Sequence, residues 1–245
     1  MSDMPSVDEA SEGQAVRDRY ARRAPQDPRY SLLNPAALLM LQERQRATLR
    51  LFRQLGWTDL SMRTLLEVGC GTGGNLLECI LMGFMPQRLA GIELLTERHA
   101  LARQRLPQQV ELLQGDATML GIAPASRDIV LQATVFSSLL DDTFQQRLAD
   151  AMWAAVKPGG GVLWYDFTVN NPRNPDVRGV PLSRMRALFP HGRITTRRLT
   201  LAPPIARAVT RVHPALYGVF NALPILRTHV LCWIAKPDES IQKSV

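Results

Sequence analysis

Three carboxylates and a run of glycines are the residues of this chain best suited to hold a reactive ligand. Glu67 stands two residues before Gly69 in Leu65-Leu66-Glu67-Val68-Gly69-Cys70-Gly71-Thr72-Gly73-Gly74, Glu93 closes Leu89-Ala90-Gly91-Ile92-Glu93, and Asp116 follows Gln114-Gly115. Glycines this dense let a ligand approach the main chain closely, and a helix beginning near Asn75 would aim its free N–H groups at that ligand. Gly69, Gly71 and Gly74 satisfy the spacing of a dinucleotide loop, and Glu93, 24 residues beyond Gly69, lies near where a ribose-binding acid is expected. A nicotinamide-dependent dehydrogenase is therefore one reading. Glu67 argues against it, because a buried carboxylate there repels a pyrophosphate and tolerates a cationic ligand.

The elements that must position these residues alternate between strand and helix, which predicts a mostly parallel sheet covered on both faces. Apolar residues at helical spacing predict a helix over 35–55, stopped at Gly56. Strands are expected at 65–68, 89–93, 110–114, 128–132 and 162–167, with helices over 96–105 and 142–156. Lys157-Pro158-Gly159-Gly160-Gly161 is expected as a turn, and final strands at 193–200 and 228–234. Residues 1–30 are polar and expected to be a mobile segment or lid, 31–237 the catalytic domain and 238–245 a tail.

Read together, Glu67-Val68-Gly69-Cys70-Gly71-Thr72-Gly73, the acid Glu93 and the Gly115-Asp116-Ala117 loop resemble the class I S-adenosylmethionine-dependent methyltransferases. The Lys-Pro-Gly-Gly turn fits the same family, and the resemblance covers roughly residues 35–237. It implies a doubly wound, Rossmann-like α/β fold with a seven-stranded sheet closed by an antiparallel pair. It also implies a cofactor site: the loop at Glu67, Gly69, Cys70, Gly71 and Gly73, Glu93 on the ribose hydroxyls, and Asp116 with Ala117 at the adenine. Gln132 and Ala133 would lie along the methionyl part, and Tyr20, on an N-terminal lid helix, near its end. More loosely, the stretch 171–179 is similar to a subgroup encoded with cell-surface polysaccharide genes.

Methyl transfer is an in-line displacement, so positioning the acceptor dominates, and a hydroxyl acceptor benefits from a base. Asp166, at the end of the fifth strand, is the first candidate base and His229, at the start of the last, the second. His191 and His213, beside prolines, read as structural or surface residues. After Asp166 comes a loop whose Asn170, Asn171, Arg173, Asn174 and Arg178 are suited to orient a polyhydroxylated substrate, though such residues also make ordinary turns.

Charge adds a second signal. The chain of 245 residues carries a net +7, and no acidic residue occurs between Val177 and Pro237, where nine arginines supply a field for an anion. An acidic or phosphorylated glycan or lipid-linked intermediate and an anionic membrane surface both fit; RNA fits poorly, since no interleaved aromatics or added module accompany the arginines. The three cysteines have no ligand spacing, so no metal site or disulfide framework is expected. Without a leader-like start or a run of some 18 apolar residues, a cytoplasmic location is expected, with peripheral contact at the inner face of the membrane. The expectation is a monomeric or homodimeric O-methyltransferase acting on a saccharide or other hydroxylated anionic molecule. Alternatives are a natural-product or quinone-like precursor as acceptor, or a non-catalytic cofactor-binding scaffold. The apolar segment 205–226, with Arg207 and Arg211 on one stripe, is expected as an amphipathic helix, kinked or broken into two shorter helices at Pro214, that faces a lipid surface or lipid-linked acceptor, or else serves as a lid over the active site or a dimer interface.

Overall fold

A computed structural model describes residues 7–22, 27–171 and 174–238, with side chains from Glu12 onward. Seven strands form one sheet in the order β3-β2-β1-β4-β5-β7-β6. They are β1 (Leu65–Val68), β2 (Leu89–Glu93), β3 (Glu111–Gln114), β4 (Arg127–Ala133), β5 (Val156–Phe167), β6 (Arg193–Leu201) and β7 (Arg227–Ala235). Strands β1 to β5 run parallel, and β7 inserts antiparallel to both β5 and β6. The chain leaves β1 on one side to reach β2 and returns on the other at β4, so the crevice beyond their carboxyl ends is where an open α/β sheet takes its ligand.

Two cores flank the sheet. On one face, helices α5 (Asp142–Ala155) and α6 (Leu182–Leu188) cover Leu66, Val130, Val162, Trp164 and Cys232. On the other, α2 (Pro35–Gln54), α3 (Gly74–Leu81) and α4 (Thr96–Arg105) cover Leu65, Ile129, Leu131, Tyr165 and Trp233. Local chemistry sets the helix ends. Asn34 caps α2 by accepting the Ala36 N–H at 3.0 Å, with Pro35 supplying a fixed φ at the first helical position. Helix α3 starts from Gly73 with no side-chain cap, so its first N–H groups stay directed at the crevice.

Three features depart from the expectation. Helix α1 (Val7–Ala21) is a packed element from Glu12 onward, since Val16 joins the α5 core and Arg19 pairs with Glu12 at 2.7 Å while donating to the Ser138 carbonyl. Lys157 to Gly161 is strand, because Val156 pairs with Arg127 and the chain then shifts register through a positive φ at Gly159. Helix α6 follows Pro181 unannounced. The segment 205–226 takes the broken form of its expectation: two helices, α7 (Pro203–Val212) and α8 (Leu216–Asn221), separated at Pro214, as the missing N–H and ring of proline require. They close a small third core with Ala36 and Leu201.

Candidate active site

The glycine loop turns through positive φ at Gly69, Gly71 and Gly73. A Cβ at Gly69 would come 2.6 Å from Val135 Cγ2, so this loop and the one after β4 approach each other more closely than any side chain permits. Glu93 is buried behind the loop: its Oε2 accepts the Gly71 N–H at 2.7 Å and its Oε1 the Leu95 N–H at 2.9 Å. The carboxylate thus fixes the loop while keeping further lone pairs for a hydroxyl donor. Asp116 spends Oδ1 on the N–H and hydroxyl of Thr118. Ala117 sits in the core below it. The Cys70 side chain is buried against Gly91, and its N–H is taken by the Ile92 carbonyl, so it contributes packing to the loop floor.

Glu67 decides which ligand this loop suits. Asn75 Nδ2 donates to its Oε1 at 2.5 Å, but Oε2 is buried with no hydrogen-bond partner. Burial pushes the carboxyl up to about 8, against the lowering effects of Asn75 and Arg44. A phosphate nearby would raise it further; a cation would return it to its charged form. The residues therefore fit a cofactor carrying ammonium and sulfonium groups and do not fit a dinucleotide.

The loop after β4 is held from three sides. Gln132 accepts the Val135 N–H at 3.0 Å, Gln145 donates to the Phe136 and Leu139 carbonyls, and Glu12 of α1 accepts the Leu140 N–H. Ala133 is half-buried at the mouth of the crevice, followed by Thr134 at φ 58°. Tyr20 reaches the same region: the Arg98 guanidinium lies 5.0 Å over its ring and only 2.7 Å from where a Cβ of Gly71 would stand.

Asp166 and His229 lie on opposite faces of the sheet, because side chains alternate along β5 and β7. Asp166, 0% exposed, shares its face with Trp164; its Oδ2 accepts the Ser137 N–H at 3.1 Å and its Oδ1 the Phe167 N–H at 2.9 Å. Burial raises it to about 7 despite those hydrogen bonds. His229 stacks on Tyr165 at 5.1 Å and meets the edge of Phe167, and burial lowers it to about 4, so it is neutral at physiological pH. The structure does not bring the two together.

In the loop after β5, Asn170 accepts the Gly179 N–H and Asn174 the Asp176 N–H, while the Asn171 carbonyl accepts the Asn174 N–H. Arg178 pairs with Asp142 at the start of α5, and Arg22 of the lid segment with Asp176 at 2.8 Å. Arg173 lies outside the described residues. Sequence reasoning missed Arg44, which donates to Asn75 and Glu78 and lies 5.3 Å over the Tyr165 ring, bridging the Glu67 and His229 regions. No local signal marks it. The Glu12–Arg19 pair had one, a separation of seven residues that puts both on one helical face.

Residues 65–160, the part that contains this loop, Glu93 and Asp116, match the family model described as a methyltransferase domain. The match runs from β1 into β5, under half of the chain, and marks that segment as similar to methyltransferase domains. The orphaned Glu67 oxygen lies within that segment. Among curated proteins, the malonyl-[acyl-carrier protein] O-methyltransferase of Haemophilus ducreyi is 33% identical over 119 residues, 46% of this chain and 44% of that protein. An uncharacterized methyltransferase of Bacillus cereus is 28% identical over 109 residues, 44% of this chain and 49% of that one. The chain thus spans under half the length of these relatives. Solved structures similar to the whole fold include a methyltransferase from Archaeoglobus fulgidus, with TM-score 0.55 and 13% identity over 81% of this chain and 98% of that one. Another is the Haemonchus contortus phosphoethanolamine N-methyltransferase 2 bound to S-adenosylmethionine, with TM-score 0.56 and 16% identity over 79% of this chain and 53% of that one. The matched segment and the sheet around it therefore share the Rossmann-like fold of these methyltransferases.

Proposed function

We propose that this protein transfers a methyl group from S-adenosylmethionine to a hydroxyl of an anionic, polyhydroxylated small molecule, a saccharide or lipid-linked glycan. The observation that carries the cofactor reading is Glu67, a buried carboxyl with one unpartnered oxygen at the glycine loop, at the sheet's switch point. When bound, the cofactor supplies an electrophilic methyl on a cationic sulfur. Glu67 answers its positive charge, Glu93 its ribose and Asp116 the adenine end, while Gln132, Ala133 and Tyr20 border the methionyl side.

The acceptor reading rests on charge and on the loop after β5. The nine arginines between Val177 and Pro237, with no acid among them, favour an anionic group. Asn170, Asn171, Arg173, Asn174 and Arg178 are the proposed acceptor-side residues; among the described residues of this loop, Asp176 pairs with Arg22 of the lid segment. The Haemophilus ducreyi relative is named for transfer to oxygen. Asp166 is the proposed base, a carboxyl poised near neutral at the end of β5. His229, at about 4, is the weaker proton acceptor.

The test is incubation with labelled S-adenosylmethionine and anionic glycan acceptors. Label should move to an acidic saccharide and not to its neutral counterpart. Asp166→Asn should keep cofactor affinity and lower turnover at least about tenfold. Cofactor binding without transfer to any acceptor identifies a scaffold instead, and unchanged turnover with a lowered melting temperature makes Asp166 an anchor of the Ser137 loop only.

A further inference from the structure

Helices α7 and α8 turn an apolar, basic face outward, and the way they are fastened shows that this is a fixed orientation. Glu43 of α2 accepts the Tyr217 hydroxyl at 2.6 Å, the Asn221 amide at 2.7 Å and the Thr200 N–H at 3.1 Å. Tyr217 and Asn221 are one helical turn apart, so this carboxylate fixes the inner face of α8. Ala206 and Thr210 play the same part for α7, buried against α2. What is left outside is apolar: Val212, Val219, Leu223 and Ile225, the last 86% exposed. The segment before α2 extends the face, with Tyr30 and Leu33, the latter 95% exposed, and with Asn34 and Pro35 lining a hollow shared with Arg207 and Arg211.

We propose that this face docks on an anionic lipid surface. Exposed apolar clusters of this kind mark interaction sites. The charge around them selects the partner: Arg207 and Arg211 stand among them, no acid occurs between Val177 and Pro237, and Asp27, whose field reaches Arg207, is already paired with Arg29 at 2.5 Å. A second copy docked about a two-fold axis would set two such basic faces against each other. Lipid headgroups instead supply phosphates for the guanidinium forks while the apolar side chains enter the acyl boundary. Among the described residues no helix is long and apolar enough to cross a membrane, so the contact is peripheral.

The full chain is floated with phosphatidylcholine vesicles with and without phosphatidylglycerol, with no cofactor or acceptor present, so the outcome is independent of the methyltransferase reading. Flotation with the anionic vesicles at low salt should exceed that with neutral ones at least about tenfold and fall with added salt. The combined Val219→Asp, Leu223→Asp and Ile225→Asp variant, and the Arg207→Glu with Arg211→Glu variant, should each lose it at least about tenfold with an unchanged circular-dichroism melt. No flotation at low salt, or equal flotation of wild type and both variants, overturns the proposal. So does a concentration-dependent dimer that the apolar variant abolishes while wild-type protein ignores the vesicles.

Discussion

The chain bends through the left-handed region on both sides of its crevice, but it uses different residues to do so. On the cofactor side, Gly69, Gly71 and Gly73 take φ values of 66°, 58° and 82°; on the other, at the ends of β4 and β6, Thr134 takes 58° and Thr200 65°. Glycine adopts that conformation at no steric cost, whereas a β-branched residue is strained there and persists only where its surroundings hold it. Thr200 is held: its N–H donates to Glu43 and its hydroxyl pairs with Tyr165 at 2.7 Å. The glycine-loop side is thus built from backbone and strand-end acids, and the opposite side from side-chain networks that hold a strained residue in place. The family match, residues 65–160, takes in the glycine loop and Thr134 and stops short of Thr200 and the network around it.

The largest effect is expected at the lid, where one pair fastens α1 to the loop after β4. Arg19→Ala leaves Glu12 as a buried, unpaired carboxylate and frees the Ser138 carbonyl. It should cost about 3–5 kcal/mol of stability, read from denaturant melts. A loss under about 1 kcal/mol would mean that α1 is not an integral part of the fold.

On the cofactor side, Glu67 predicts a pH signature. Its folded value, about 8, lies above the ordinary 4.5, so below that ordinary value it makes no difference to stability. As pH rises toward 8 the unfolded chain ionises while the folded one stays protonated, and the cofactor-free protein loses stability. A bound cation reverses the balance by favouring the carboxylate, so binding releases a proton and S-adenosylmethionine affinity should rise by up to tenfold per pH unit between about 6 and 8. Titration calorimetry across that range checks it, and Glu67→Gln should flatten the profile. Next in size, Glu93→Ala removes the anchor of Gly71 and the ribose partner together, weakening cofactor binding by about 1.5–3 kcal/mol.

What was legible in the sequence follows the same line. Strand β2 and helix α4 have the bounds their patterns predict, and the seven-stranded sheet with its antiparallel closing pair is the one the motifs imply. These signals are local: glycine density, apolar runs ending in acids, a proline beside a cap. The docking of α1, the strand character of Lys157 to Gly161 and the bridge made by Arg44 depend on partners dozens of residues away, and no periodicity encodes them. The separation of Asp166 from His229 was accessible in principle, since period-two alternation places Asp166 with Trp164 and away from Tyr165. It required knowing that β5 and β7 are neighbours.

The smallest predicted effect concerns Thr134, the exposed threonine that ends β4 in the left-handed region. Its N–H donates to the Tyr165 carbonyl at 2.8 Å, a bond that glycine at this position would keep. Thr134→Gly relieves about 1–2 kcal/mol of left-handed strain and adds about 0.5–1 kcal/mol of unfolded-chain entropy. The two nearly offset each other, and the melt should move by no more than about 1 kcal/mol, toward greater stability. If the strain only marks a tight corner, turnover should stay level as well. If it serves to aim the loop after β4 at the acceptor, the glycine variant should melt like wild type, bind the cofactor like wild type and turn over more slowly. A clear destabilisation would overturn both readings, because it would mean that the exposed side chain itself holds the corner. The same exchange at Thr200 should be costly, since its hydroxyl is buried against Tyr165, and that contrast separates strain that is merely tolerated from strain built into the network around Glu43.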